Sequence, residues 1–175
     1  DFAIQYFKNL KTTYAKGKER KTEIRIFDDV DVKKVVVKNS KLYVNRDEGF
    51  IGTSLRKDEF VEECSDIDDV IVFTQKGDMI VSRVESKKFI AKNILFASVF
   101  KKKDSRTIYN MIYKDGKTGI SFIKRFNVTG VTRDKLYNLT SQHPKSKVLH
   151  FSANPNGEGE VVTIQLRQNA SIKKL

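Results

Sequence analysis

One cysteine, two prolines and no long apolar run characterise this 175-residue sequence. A lone thiol, Cys64, cannot close an internal disulfide, and no cysteine and histidine cluster has metal-ligand spacing. A reduced, cytoplasmic setting fits. Cys64 lies among acidic residues, without the electropositive surroundings that a reactive thiolate needs. No stretch approaches the roughly 20 apolar residues of a membrane helix, so no membrane partner is expected. No GxxxxGK[S/T] loop is present to cradle a nucleotide. His143 and His150 read as ordinary surface or core histidines. Asp68-Asp69 has no converging oxygen ligands in sequence and reads as an acidic strand entry, not a metal site. Pro144 and Pro155 both fall in expected loops, where a β-rich chain tolerates proline. The chain opens at Asp1 with no initiator methionine and no signal-like segment, so it reads as a piece of a longer protein.

What is present suits a soluble globular fold with a charge-rich surface: 39% hydrophobic and 32% charged residues, enough for one or two domains. Residues 1–14 read as a helix, with Phe2, Ile4, Phe7, Leu10 and Tyr14 at three- and four-residue spacing and Gly17 as a stop. Beyond it the pattern changes to short runs of β-branched and aromatic residues. Val70–Phe73 and Met79–Val84 flank Gln75-Lys76-Gly77-Asp78, a hairpin around a turn glycine. The same design recurs around Gly49, around Gly116 within Ile108–Lys117, and around Gly157 with Val148–Phe151 and Val161–Ile164 as its strands. These glycines fall about 28, 39 and 41 residues apart. A loose hairpin repeat near forty residues predicts a propeller-like array. Val35–Val37, Phe89-Ile90, Ile94–Phe100 and Gly119–Val128 are further strand candidates. The acidic stretch Asp58–Asp69 reads as solvated surface.

Net charge is +12, and it is unevenly placed. Residues 28–69 hold seven Lys/Arg against twelve Asp/Glu, while residues 85–147 hold fifteen against four. A local excess of +11 attracts polyanions, nucleic acid above all. The basic residues sit mainly in connectors and at strand ends: Lys101, Lys102, Lys103 and Arg106 after one strand, Lys124 and Arg125 near the end of another, then Arg133, Lys135, Lys145 and Lys147. A stripe of separated cations can follow the phosphates of a duplex without reading bases. These ten are the candidate phosphate contacts.

The run Tyr14-Ala15-Lys16-Gly17-Lys18-Glu19-Arg20-Lys21-Thr22-Glu23-Ile24 resembles the end of the breakage–reunion domain in the A subunits of bacterial type IIA topoisomerases. It matches at Tyr14, Gly17, Arg20, Lys21, Thr22, Glu23 and Ile24. The remainder of the chain resembles the family's C-terminal domain, a β-pinwheel of antiparallel hairpin blades that binds DNA on its outer rim. The resemblance implies residues 1–30 as the end of the upstream domain and a linker, and residues 31–175 as pinwheel blades, fewer than the whole domain holds. In gyrase-type members a box rich in glutamine, arginine and glycine comes after the first hairpin and supports wrapping. Here Asn45-Arg46-Asp47-Glu48-Gly49-Phe50-Ile51-Gly52 stands in that neighbourhood, and two carboxylates make a poor phosphate loop. That favours the topoisomerase IV branch.

In that family the cutting tyrosine is preceded by an arginine. The residues before Tyr6, Tyr14, Tyr43, Tyr109, Tyr113 and Tyr137 are Gln, Thr, Leu, Ile, Ile and Leu, so no such pair exists here. The resemblance therefore implies a domain that performs no chemistry alone and needs no cofactor of its own. It would bind and bend duplex DNA for ATP-dependent strand passage (decatenation and supercoil relaxation) by a parent heterotetramer of two A and two B subunits. ATP and Mg would be used in other domains or in the topoisomerase IV B subunit. The enzyme would work on the bacterial nucleoid. The alternative is an interaction propeller for an acidic protein partner. An RNA-binding module is a third reading, disfavoured because most Phe and Tyr fall in the strand pattern rather than on exposed stacking surfaces.

Overall fold

The computed structural model describes residues 2–18 and 38–165, and the chain divides into two units, Asp1–Val36 and Val37–Leu175. In the first, the aromatic and aliphatic residues at helical spacing form α1 (Phe2–Tyr14). Phe2 stacks on Tyr6, one turn on, with 6.5 Å between ring centroids. Gly17 takes φ +76°, the left-handed conformation that ends a helix at little cost. None of the side chains of α1 is buried, so its apolar stripe is exposed. The Arg20–Ile24 part of the family-like run, the acidic residues 27–31 and the strand candidate Val35–Val37 lie outside the described residues.

The second unit is mainly β, as the alternating patterns predict. Its strands are β1 (Ser40–Asn45), β2 (Phe50–Gly52), β3 (Glu59–Cys64), β4 (Asp69–Thr74), β5 (Asp78–Arg83), β6 (Lys88–Phe89), β7 (Ile94–Phe100), β8 (Ile108–Lys114), β9 (Ser121–Phe126), β10 (Leu136–Asn138) and β11 (Lys147–Asn154). They form three antiparallel, blade-like sheets, ordered β3-β1-β2-β6, β7-β4-β5-β10 and β11-β8-β9. Each contains one sequence-predicted hairpin: β1-β2, β4-β5 or β8-β9.

The connections repeat with an offset. β6 comes after the second hairpin, yet it pairs with β2 of the first sheet. β10 comes after the third hairpin, yet it pairs with β5 of the second. Each of these two sheets is thus completed by chain that has already built the next hairpin, which ties neighbouring sheets together. Among the described residues the third sheet has no such strand, and β9 carries an open edge.

Two local expectations change. The strand pattern around Gly157 predicts a fourth hairpin, but β11 pairs with β8 along its length, and residues 155–165 hold no strand. Glu160 instead turns back across the sheet, accepting hydrogen bonds from Asn110 Nδ2 at 3.1 Å and from Ser152 Oγ, and meeting His150 Nε2 at 2.8 Å. The third hairpin turns over Asp115–Ile120, which includes Gly116 as expected, but it is Gly119 that takes the positive φ, +75°. Gly116 lies where any side chain would collide with the His143 ring and the backbone of Lys145 and Ser146. The acidic stretch is also less solvated than its composition suggests. Glu59–Cys64 forms β3, Glu62 accepts the Val99 amide, and Asp68 caps its turn by accepting Ser65 N at 2.9 Å.

The core is organised by β4, whose six residues are all buried. Successive side chains of a strand point to opposite faces. Val70 and Val72 therefore pack with Leu42, Val44, Ile51 and Cys64 of the first sheet. Ile71 and Phe73 pack with Tyr109, Phe126 and Phe151 of the third. The Phe73 ring lies 4.8 Å from Tyr109 and 4.5 Å from Phe151, centroid to centroid. Burial there pushes the Tyr109 phenol up to about 12. Burial likewise pushes the Cys64 thiol up, away from thiolate chemistry. Replacing Phe73 with Ala should destabilise the unit by about 3–5 kcal/mol, read as a lower urea midpoint. Ile123→Ala, on the open edge, should cost less than about 1 kcal/mol in the same measurement.

Candidate nucleic-acid interface

The register of the third sheet sets where its basic residues lie. Ile108 pairs with Asn154 and Lys114 with Lys147. The loop Lys101–Thr107 and the turn after Asn154 therefore share one end of the sheet, and the Asp115–Ile120 turn and Lys145–Lys147 share the other. The length of β8 separates these ends by about 20 Å at roughly 3.4 Å per residue.

At the first end the loop is locally braced. Asp104 accepts Arg106 N at 2.9 Å and Thr107 Oγ1 at 2.7 Å, and these bonds, the Thr107 hydroxyl first, hold its carboxyl below the usual carboxylate range. Lys103 takes a left-handed φ of +64°, and its amide donates to Thr129 O at 2.8 Å. With the backbone fixed, Lys101, Lys102 and Lys103 are left exposed, and none forms an ion pair among the described residues. This is a compact cationic loop whose one aspartate is engaged by Arg106 N and Thr107 Oγ1.

The other candidates are placed differently. Arg106 donates to Asn156 Oδ1 at 2.6 Å and Arg125 to Gly157 O at 2.8 Å, so both guanidinium groups hold the turn after β11. Arg133 Nε lies 2.8 Å from the buried Asp69 Oδ1, a charge contact rather than an aligned hydrogen bond. It is the counter-ion for an acid that the start of β4 takes out of water. Lys124 donates to Leu139 O and lies 5.3 Å from the Tyr113 ring centroid. Lys135 is 5.3 Å from the Tyr137 ring centroid and exposed. Lys145 and Lys147 stand at the opposite end, where Lys114 and Lys117 join them around one cleft. Sequence reasoning passes over Lys114 and Lys117 as turn residues. The only signal for them is a lysine on each side of Asp115-Gly116.

In the first hairpin, Arg46 makes a two-pronged contact with Glu59, Nε to Oε2 at 2.6 Å and Nη2 to Oε1 at 2.7 Å, and Nη1 donates to Leu95 O at 2.6 Å. These contacts hold the Glu59 carboxyl below its ordinary range. The arginine nearest to a phosphate-binding box is thus engaged internally. Asp115, in the third turn, accepts Ser141 Oγ and Thr118 N and Oγ1, the last two at 2.8 and 2.6 Å. Those donors, Ser141 foremost, hold its carboxyl well below the usual range.

A family model described as topoisomerase C-terminal domain, Bacteroidota, matches residues 41–175. Among curated proteins, the chain is 32% identical over 155 residues to the A subunit of DNA topoisomerase 4 from Borreliella burgdorferi. That match covers 88% of this chain and 24% of the relative, so the chain spans about a quarter of the relative's length. No solved structure matches.

Asp115→Asn should lower the urea midpoint at pH 7. A depressed folded-state pKa stabilises the fold above the unfolded value, near pH 4, and that contribution is lost as pH falls. The gap between wild type and variant should therefore narrow in urea titrations stepped from pH 7 to pH 2.

Proposed function

This chain belongs to the topoisomerase C-terminal domain family, and on that premise we propose that its β unit binds duplex DNA through phosphate contacts. The observation that carries the reading is the braced loop at the end of β7. Three lysines are exposed there without an ion pair among the described residues, in the segment of the chain with the largest cationic excess. Lysine is a compact, flexible point charge suited to phosphate oxygens, and it carries no base-reading geometry. Binding of this kind is driven by counterion release and is insensitive to sequence.

In this proposal the parent protein is the A-type chain of a type IIA topoisomerase of the topoisomerase IV kind. The β unit holds and bends a duplex segment so that it is presented for strand passage. Cleavage, ATP hydrolysis and Mg chemistry belong to other domains and to the B subunit of an assembly with two copies of each. The engaged Arg46 favours segment positioning over gyrase-type wrapping, because it leaves the first hairpin without a free cation at its turn. Of the ten candidate contacts, Lys101, Lys102 and Lys103 stand together on one exposed loop, and Lys145 and Lys147 lie at the opposite end of the sheet. Arg106, Arg125, Arg133 and Lys124 act in the first place by holding loops in position.

A second reading has an observation of its own. Among the described residues β9 has an open edge, with Phe122 and Ile123 exposed, a geometry that accepts an added strand from an acidic protein partner.

Fluorescence anisotropy with a duplex of about 40 base pairs across a salt series separates the two. The DNA reading expects a steep loss of affinity with salt and little sequence preference. Lys101→Glu, Lys102→Glu and Lys103→Glu combined should remove most binding and reduce the log–log salt slope by about one per lysine. Wild-type binding no stronger than that of an equally basic control protein would overturn it in favour of the protein partner.

A further inference from the structure

We infer that the turn end of the third sheet is a separate site for clustered phosphate groups, formed by Lys114, Lys117, Lys145 and Lys147 and independent of the Lys101–Thr107 loop. Three observations converge on it. First, the register places Lys114 directly opposite Lys147 on paired strands. Like charges in that position repel one another. Lys117 and Lys145 add to the repulsion, and none of the four forms an ion pair among the described residues.

Second, the four lysines line one open cleft of about 500 Å³. That is within the size range of small-molecule sites and leaves room for more than one phosphate group. Third, the single carboxylate in the lining, Asp115, is turned into the fold by Thr118 and Ser141. The cleft keeps a net charge of +3 from four lysines and one aspartate.

The arrangement is built into the backbone. Gly116 N donates to Ser146 Oγ at 3.0 Å, and Ser146 N donates to His143 O at 2.8 Å. The first bond ties the segment Lys145–Lys147 to the turn bearing Lys117, and the second folds the chain just before it. A bound polyanion relieves the repulsion that the free protein bears. Ammonium groups respond to charge density and lack the planar fork of arginine, so the ligand chemistry is adjacent phosphates rather than a particular planar group. Two sources supply it: the backbone of a duplex, or a free polyphosphate chain. The duplex source rests on the DNA-binding reading above, and the free-anion source does not.

The test uses the whole chain and two probes, sodium tripolyphosphate by titration calorimetry and a duplex of about 40 base pairs by anisotropy across salt. Wild type is compared with a quadruple variant, Lys114→Gln, Lys117→Gln, Lys145→Gln and Lys147→Gln, and with Lys101→Gln, Lys102→Gln, Lys103→Gln. Circular dichroism checks that each is folded. The expected result is saturable binding of about one tripolyphosphate, weakened about tenfold or more in the quadruple variant and unchanged in the triple one. The duplex salt slope should fall by about four in the quadruple variant.

Loss of tripolyphosphate binding alone supports the site with a free anion as its source. Loss of duplex slope alone supports it with the DNA backbone as its source. Tripolyphosphate binding by a wild type that ignores the duplex removes the DNA reading and leaves this site standing. Unchanged behaviour of the quadruple variant toward both probes overturns the inference.

Discussion

A single strand buried on both faces holds the β unit together. β4 gives Val70 and Val72 to one core and Ile71 and Phe73 to the next, so both cores depend on the same six residues. A strand in that position cannot shift register by one residue without exchanging every side chain between two differently shaped cores. The offset strands reinforce it. β6 and β10 each return to the sheet before the newest hairpin, so each of those sheets takes an outer strand from chain that lies beyond the next hairpin. Stability is therefore shared along the array, and among the described residues the third sheet, with β9 open, is its least enclosed part.

The same packing decides which charges are free. Asp69 begins the buried strand, and Arg133 is drawn in to answer it. Lys88 is held between Glu85 at 2.6 Å and Asp134 at 3.1 Å. Arg106 and Arg125 secure the turn after β11. Several of the basic residues are thus structural, and the third sheet carries a group of exposed lysines at each end, Lys101–Lys103 at one and Lys114, Lys117, Lys145 and Lys147 at the other. Aspartates at both ends, Asp104 and Asp115, accept hydrogen bonds from backbone and hydroxyl donors and form no ion pair with a lysine among the described residues. This division lets a protein of +12 formal charge keep an ordered surface while leaving cations available to an anionic partner.

Much of this is legible in the chain. The helix and three hairpins show because their signals are local: apolar spacing near 3.6 or 2, and glycine where a turn requires it. The loop Lys101–Arg106 shows as a charge run. The outer strands show poorly. Phe89-Ile90 marks the place of β6 (Lys88–Phe89), but β10 is three residues long and β3 is half acidic, so these two are strands only because a neighbour offers hydrogen bonds. The expected fourth hairpin fails for the matching reason. Val161–Ile164 has strand composition, but the chain after Asn154 is tied back over the sheet through Glu160 and does not run along the outer edge of β11. Lys114 and Lys117 escape notice because their significance depends on Lys147, which is distant in sequence and adjacent only through pairing.

Residue type, period and spacing are enough to specify a β-rich unit of hairpins after a short helix, the family to which the chain belongs, and a cationic middle region. Signals of that kind act over a few positions. Three matters wait for the folded chain: which hairpin's chain completes which sheet, which cations are spent on buried or bent backbone, and which are left facing solvent together. Those outcomes depend on pairing and burial between residues dozens of positions apart, where one shift of register would have sent the same side chains elsewhere.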